Sequence, residues 1–147
     1  MKQPDTLRNN PIWKETYSLS EYMYSKLEEI IAKFPDERWS TGSKIRNATN
    51  DSIFYVSLAV GSSLSSATEY EWNNARKNLF ALQTMYIFAD KQKFLELDQN
   101  IVERIDSLLK EIDAQVDAAK KASKEKDQED LEPWLEKHKL WKEINSK

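Results

Sequence analysis

The sequence predicts an all-α protein: an antiparallel up-down-up-down four-helix bundle with a short C-terminal helix on a tether. Three observations point there. Only two glycines and four prolines occur in 147 residues, too few for the frequent turns of an all-β chain. Apolar residues return every three or four positions in four long stretches, the spacing of one helix face. The links between those stretches are short, which forces neighbouring helices to run in opposite directions.

The first helix is expected over Pro11 to Phe34. Asn10 is a good N-cap, and proline suits the first helical position because its missing N–H would be unsatisfied there anyway. Trp13, Tyr17, Ser20, Tyr24, Leu27, Ile31 and Phe34 fall on one seam. Pro35 ends the helix, since the residue before a proline is pushed out of the α region.

The second helix starts near Asp36 or Thr41 and runs to Val60. Ile45, Thr49, Ser52, Ile53, Val56 and Val60 line its inner face, while Phe54, Tyr55 and Leu58 spread apolar surface beyond a single stripe. Gly61-Ser62-Ser63 reads as a C-cap and loop. The third helix begins at Ser66, where Ser66-Ala67-Thr68-Glu69 has capping-box form. Trp72, Ala75, Leu79, Leu82, Tyr86 and Ala89 form its core face, and it stops near Asp90. The fourth runs from about Asp98 to Lys120 on a stripe of Ile101, Ile105, Leu108, Leu109, Ile112, Val116 and Ala119.

Residues 1–120 thus form the bundle. Beyond Lys120, residues 121–130 are almost wholly charged or polar and read as a flexible linker or a solvated helix extension. Leu131, Trp134, Leu135, His138 and Trp141 then return at helical spacing with Pro133 in the first turn, the mark of a short amphipathic helix.

Composition narrows the chemistry. The absence of cysteine excludes disulfides, thiolate metal sites and cysteine nucleophiles. One histidine cannot supply the two Glu-x-x-His motifs of a di-iron bundle. Adjacent carboxylates such as Glu28-Glu29 do not face each other on a helix, and two glycines leave no glycine-rich phosphate loop. The expectation is no enzyme, no metal, no cofactor and no small-molecule substrate. No signal peptide and no membrane-length apolar run is visible, so a cytoplasmic protein without membrane contact is expected.

Two surface features carry the functional reading. The net charge of −3 is unevenly spread: positions 38–93 lean basic and 94–120 lean acidic. Arg38, Lys44 and Arg46 on the second helix, with Arg76 and Lys77 on the third, are candidate nucleic-acid contacts, able to neutralise a few phosphates in a salt-sensitive way. Five tryptophans and six tyrosines are many for a small bundle core, and such residues are enriched at interfaces. Phe54, Tyr55, Trp72 and Phe80 are candidate partner contacts on the bundle, and Leu131, Trp134, Leu135 and Trp141 on the tail.

The segments Phe34-Pro35-Asp36-Glu37-Arg38-Trp39, Ser43-Lys44-Ile45-Arg46-Asn47-Ala48, Ala59-Val60-Gly61 and Asn78-Leu79-Phe80-Ala81-Leu82 resemble a bacterial four-helix-bundle family. That family includes the ribosomal-RNA intervening-sequence proteins and the accessory variability proteins of diversity-generating retroelements. The resemblance spans residues 34 to about 120. It implies a ring-shaped homo-oligomer such as a pentamer and, for the retroelement branch, binding to RNA and a reverse transcriptase through a basic surface, with Lys44 and Arg46 matching the basic pair. The leading expectation is therefore an oligomeric accessory or scaffold protein. The alternative is a protein–protein adaptor that acts through the bundle surface and the Trp-rich tail without nucleic acid.

Overall fold

The computed structural model describes residues 7–62 and 66–145. Its elements are α1 (Pro11–Lys33), a 3-10 turn (Pro35–Trp39), α2 (Thr41–Gly61), α3 (Ser66–Lys91) and α4 (Gln99–Asn145). No strand occurs among the described residues. All four helices contribute to one core, in which Leu19, Met23, Ile30, Ile45, Val56, Trp72, Leu79, Leu82, Tyr86, Ile105, Leu108 and Ile112 are buried.

The helix ends follow local chemistry. The Asn10 side-chain oxygen accepts from the Ile12 and Trp13 N–H groups at 2.9 and 3.1 Å, which caps α1. Phe34 closes that helix by donating its N–H to the Ile30 carbonyl, and Pro35 prevents continuation. The start of α2 has no side-chain cap from Ser40. Instead the Glu37 carboxylate, one turn upstream, accepts from the Thr41 N–H at 3.1 Å. At the end of α3, the Phe94 N–H bonds the Ala89 carbonyl and the Lys93 N–H bonds the Asp90 carbonyl. Lys93 sits at φ 66°, the left-handed position of a Schellman cap. Asp98 then caps α4, its carboxylate accepting from the Asn100 N–H at 2.9 Å. The capping-box reading at Ser66 rests on a side chain outside the described residues.

Gly42 has a specific reason to be glycine. A Cβ there would meet the Glu37 carbonyl oxygen at 2.7 Å and Leu27 Cδ1 at 3.2 Å. The backbone of the 3-10 turn thus lies directly on α2. Gly61 has open space where its Cβ would be. Gly42→Ala should destabilise by about 1–2 kcal/mol through overpacking, whereas Gly61→Ala should be neutral or stabilise by up to about 1 kcal/mol. Urea unfolding of the two variants checks this, and equal effects would contradict the close approach.

The inner faces of α3 and the first half of α4 are those the periodicity predicts; on α2, Ile45, Thr49, Ser52 and Val56 are buried as predicted, whereas Ile53 and Val60 are only half-buried and Ala48 and Ala59 complete the face. Polar members of the α2 face bury without penalty because Thr49 and Ser52 donate their hydroxyls to carbonyls one turn back, at 2.7 Å each. The inner face of α1 is a correction. Ile12, Thr16, Leu19, Met23, Leu27 and Ile30 are buried, whereas Tyr24 is 39% exposed and Tyr17 and Phe34 also reach solvent. The aromatic seam is rotated to the edge that meets α2, because its polar atoms find partners there. Trp13 Nε1 donates to Ser57 Oγ at 3.0 Å, and the Tyr24 hydroxyl donates to Asn50 Oδ1. These links also give the pairing: as numbers rise along α1 they fall along α2. Between α3 and α4, Arg76 meets Asp113 and Gln83 meets Asp106 in the same descending order.

A second correction concerns the tail. The helix does not end near Lys120 but runs 47 residues without interruption to Asn145. Of the two readings of residues 121–130, the solvated helix extension holds. The predicted short helix is the far end of α4, and Pro133 lies inside it rather than in a first turn. Hydration of the exposed backbone tolerates that proline, which removes one i→i−4 hydrogen bond.

Candidate interaction surfaces

The five basic candidates do not form one patch. Arg38 lies exposed on the 3-10 turn, and Lys44 and Lys77 are exposed on α2 and α3. Lys44 and Arg46 are two positions apart, which separates them by about 200° around the helix. Arg46 shares its side of α2 with Asn50 and Ser57, whose partners Tyr24 and Trp13 are on α1. Lys44 shares the opposite side with Ser62, whose hydroxyl donates to the Glu71 carboxylate of α3 at 2.9 Å. Arg76 points to neither group. Its Nε donates to Asp113 on α4, and its guanidinium lies 5.0 Å from the centre of the Phe80 ring. Its charge is therefore engaged by a carboxylate and an aromatic face at once.

The aromatic candidates divide as well. Trp72 is 3% exposed and belongs to the core, which corrects its assignment to a partner surface. It lies on the same face as Ala75 and Leu79, so burial follows from its register. Tyr55 is half-buried against the core and makes an edge contact with the exposed Phe54, ring centres 5.3 Å apart. Phe80 is exposed beneath Arg76. Sequence reasoning missed the exposed edge of α1. Tyr17 stacks on Trp13 at 5.1 Å, and the Trp13–Ser57 and Tyr24–Asn50 links bracket it at the level of Phe54. Trp39, Leu58, Tyr70 and Phe88 are further exposed apolar residues. The missing signal was the polar partner: only the fold reveals that Ser57 and Asn50 hold this edge outward.

The tail candidates stand together. Leu131, Trp134, Leu135 and Trp141 are all exposed, the two tryptophans by 57% and 60%. Successive one-turn steps put them on one side with His138. Its imidazole stacks between the two indoles, 5.2 Å from Trp134 and 6.1 Å from Trp141, with interplanar angles of 5° and 13°. The result is a flat aromatic wall flanked by two leucines. The described side chains from Lys124 onward are exposed, so this part of α4 projects beyond the core, whose last α4 contributors are Val116 and Ala119.

Two polar arrangements fix the bundle beneath these surfaces. Arg104 of α4 forks onto Glu15 of α1 and reaches Ser18 Oγ at 3.2 Å. Donating these hydrogen bonds to the Glu15 carboxylate raises the pKa of Arg104 and holds its charge. Tyr86, fully buried, shares a 2.7 Å hydrogen bond with Tyr22 and accepts from the Asp98 N–H at 2.8 Å. Burial is the main reason that the pKa values of both phenols lie above the ordinary tyrosine value.

Among the described residues no group of three or more His, Asp or Glu side chains converges as a metal site. No described helix is long and apolar enough to cross a membrane. A cleft of about 360 Å³ opens between Asn10–Ile12 and Glu111–Gln115, at the seam of α1 and α4. Fold and surface together define an all-α helical-bundle protein with a projecting amphipathic helix. No family model, curated protein or solved structure matches the chain.

Proposed function

We propose that the chain is a non-enzymatic scaffold that works as a homo-oligomer and binds its partners through protein contacts. The observation that supports this most is the division of apolar residues. The four helices fill a core, yet Tyr17, Phe54, Tyr70 and the whole Leu131–Trp141 stripe remain outside it. Exposed apolar surface of this extent is a mark of binding. The ring and pentamer are what the family resemblance implies for the oligomer.

A second reading, an accessory that holds RNA together with a reverse transcriptase, is favoured by Arg38, Lys44 and Lys77. These are exposed and make no ion pair among the described residues. The Arg76–Asp113 pair weighs against it, because a neutralised guanidinium displaces fewer counterions from a phosphate chain.

Two measurements separate the readings. The solution mass of the full chain should be a multiple of 17.3 kDa, with five copies pointing to the ring. A monomer at all accessible concentrations defeats the oligomeric scaffold. RNA retention at low salt should be weak, and unchanged when Lys44, Arg46, Arg76 and Lys77 are all replaced by glutamate. Strong retention that the replacements abolish transfers the conclusion to the RNA accessory.

A further inference from the structure

The projecting end of α4 carries a pattern that the bundle does not use. Its aromatic and leucine stripe is centred near residue 136. Its net charge reverses at the same place: residues 121–136 carry six carboxylates against three lysines, and residues 137–145 carry Lys137, Lys139 and Lys142 against Glu143 alone. One helix therefore holds an acidic half and a basic half about a single midpoint. Such a helix is complementary to itself only when a second copy runs the opposite way. A parallel copy would set acid beside acid and lysine beside lysine.

We propose that the α4 extensions of two copies pair antiparallel through this stripe, making it the homodimer contact of the protein. The proposal rests on the oligomeric part of the reading above and names the surface responsible. With the midpoints aligned, Leu135 packs on His138 of the second copy and Leu131 lies beside that copy's Lys142 stem. The two indoles close one flank. Glu132 and Lys139, seven residues apart and so on the same side of the helix, meet their opposites on the other flank.

Two further observations fit. Pro133 falls about 200° around the helix from Leu131, away from the contact, so its missing N–H stays in solvent. The length also suffices. From Lys120 to Asn145 the extension measures about 38 Å at 1.5 Å per residue. Midpoint alignment places Asn145 near residue 128 of the second copy, short of that copy's bundle, so neither bundle obstructs the pair. The two bundles then stand about 50 Å apart along the shared axis.

The chain contains no cysteine, which makes orientation directly readable. Gln128→Cys and Asn145→Cys chains, each full length, are mixed and treated with a short bismaleimide. Antiparallel pairing yields the mixed 128–145 product; a product joining like positions only would overturn it. Sedimentation of the unmodified chain should give about twice 17.3 kDa at tens of micromolar. Leu135→Glu should return it to a monomer with unchanged helical circular dichroism. Lys139→Glu should weaken the dimer about tenfold, and the double variant Glu132→Lys, Lys139→Glu should restore it.

The failures are distinguishable. An oligomer that survives Leu135→Glu and gives no mixed product defeats the paired extensions and leaves oligomerisation through the bundle. A monomeric parent chain defeats both.

Discussion

Alanine in place of Leu79 should lower the unfolding free energy by about 2–5 kcal/mol. Leu79 is completely buried on α3, at the middle of the face running from Trp72 to Tyr86. Removing its isobutyl group loses transfer free energy and leaves a void that helices tied at both ends cannot easily close. The companion variant is Leu135→Ala, which removes the same atoms from a half-exposed position on the extension. At protein concentrations too low for association it should change stability by less than about 0.5 kcal/mol. Urea titration followed by circular dichroism reads both. Similar losses would mean that the extension is packed into the folding unit rather than projecting from it.

Tyr86→Phe should destabilise by about 1–3 kcal/mol at neutral pH. Among the described residues the phenol is the one partner of the Asp98 N–H and of the Tyr22 hydroxyl, and phenylalanine leaves both without it. The pH dependence gives a second signature. Burial raises the pKa of Tyr86 above its value in an unfolded chain, so the native state favours the neutral phenol. Its contribution is fully present below the ordinary tyrosine pKa of about 10 and is lost as pH climbs through the raised native value. Stability of the parent should therefore fall from about pH 10 upward, and Tyr86→Phe should flatten that fall. An unchanged alkaline profile in the variant would show that Tyr86 does not control it.

Much of this fold is legible in the sequence because helical spacing survives without context. The α3 face, from Trp72 to Ala89, and the α4 face, from Ile101 to Ala119, consist of residues with one preference, to be dry. The α1 face misleads for a definable reason. Tryptophan and tyrosine have an apolar body and a polar tip, so periodicity alone cannot distinguish an inner position from an edge position. Trp13 and Tyr24 occupy the edge because Ser57 and Asn50 wait on α2, and nothing near them in sequence announces those partners.

The end of the fourth helix was illegible for a similar reason. The 121–130 stretch lacks an inner face, and a helix without one looks the same on paper as a linker. Of the candidate surface residues, those of the tail lie together because all belong to one helix. The basic candidates scatter because Lys44, Arg46 and Arg76 face different neighbours, and that depends on how α2 and α3 are seated.

The single backbone that runs from Ile101 to Asn145 has a mechanical meaning. Whatever grips the aromatic tip holds a rod whose root is built into the hydrophobic interior, so force or torque applied there arrives at Ile105 and Ile112 rather than being absorbed by slack chain. The turn at Pro133, one hydrogen bond weaker than its neighbours, is where that rod yields first.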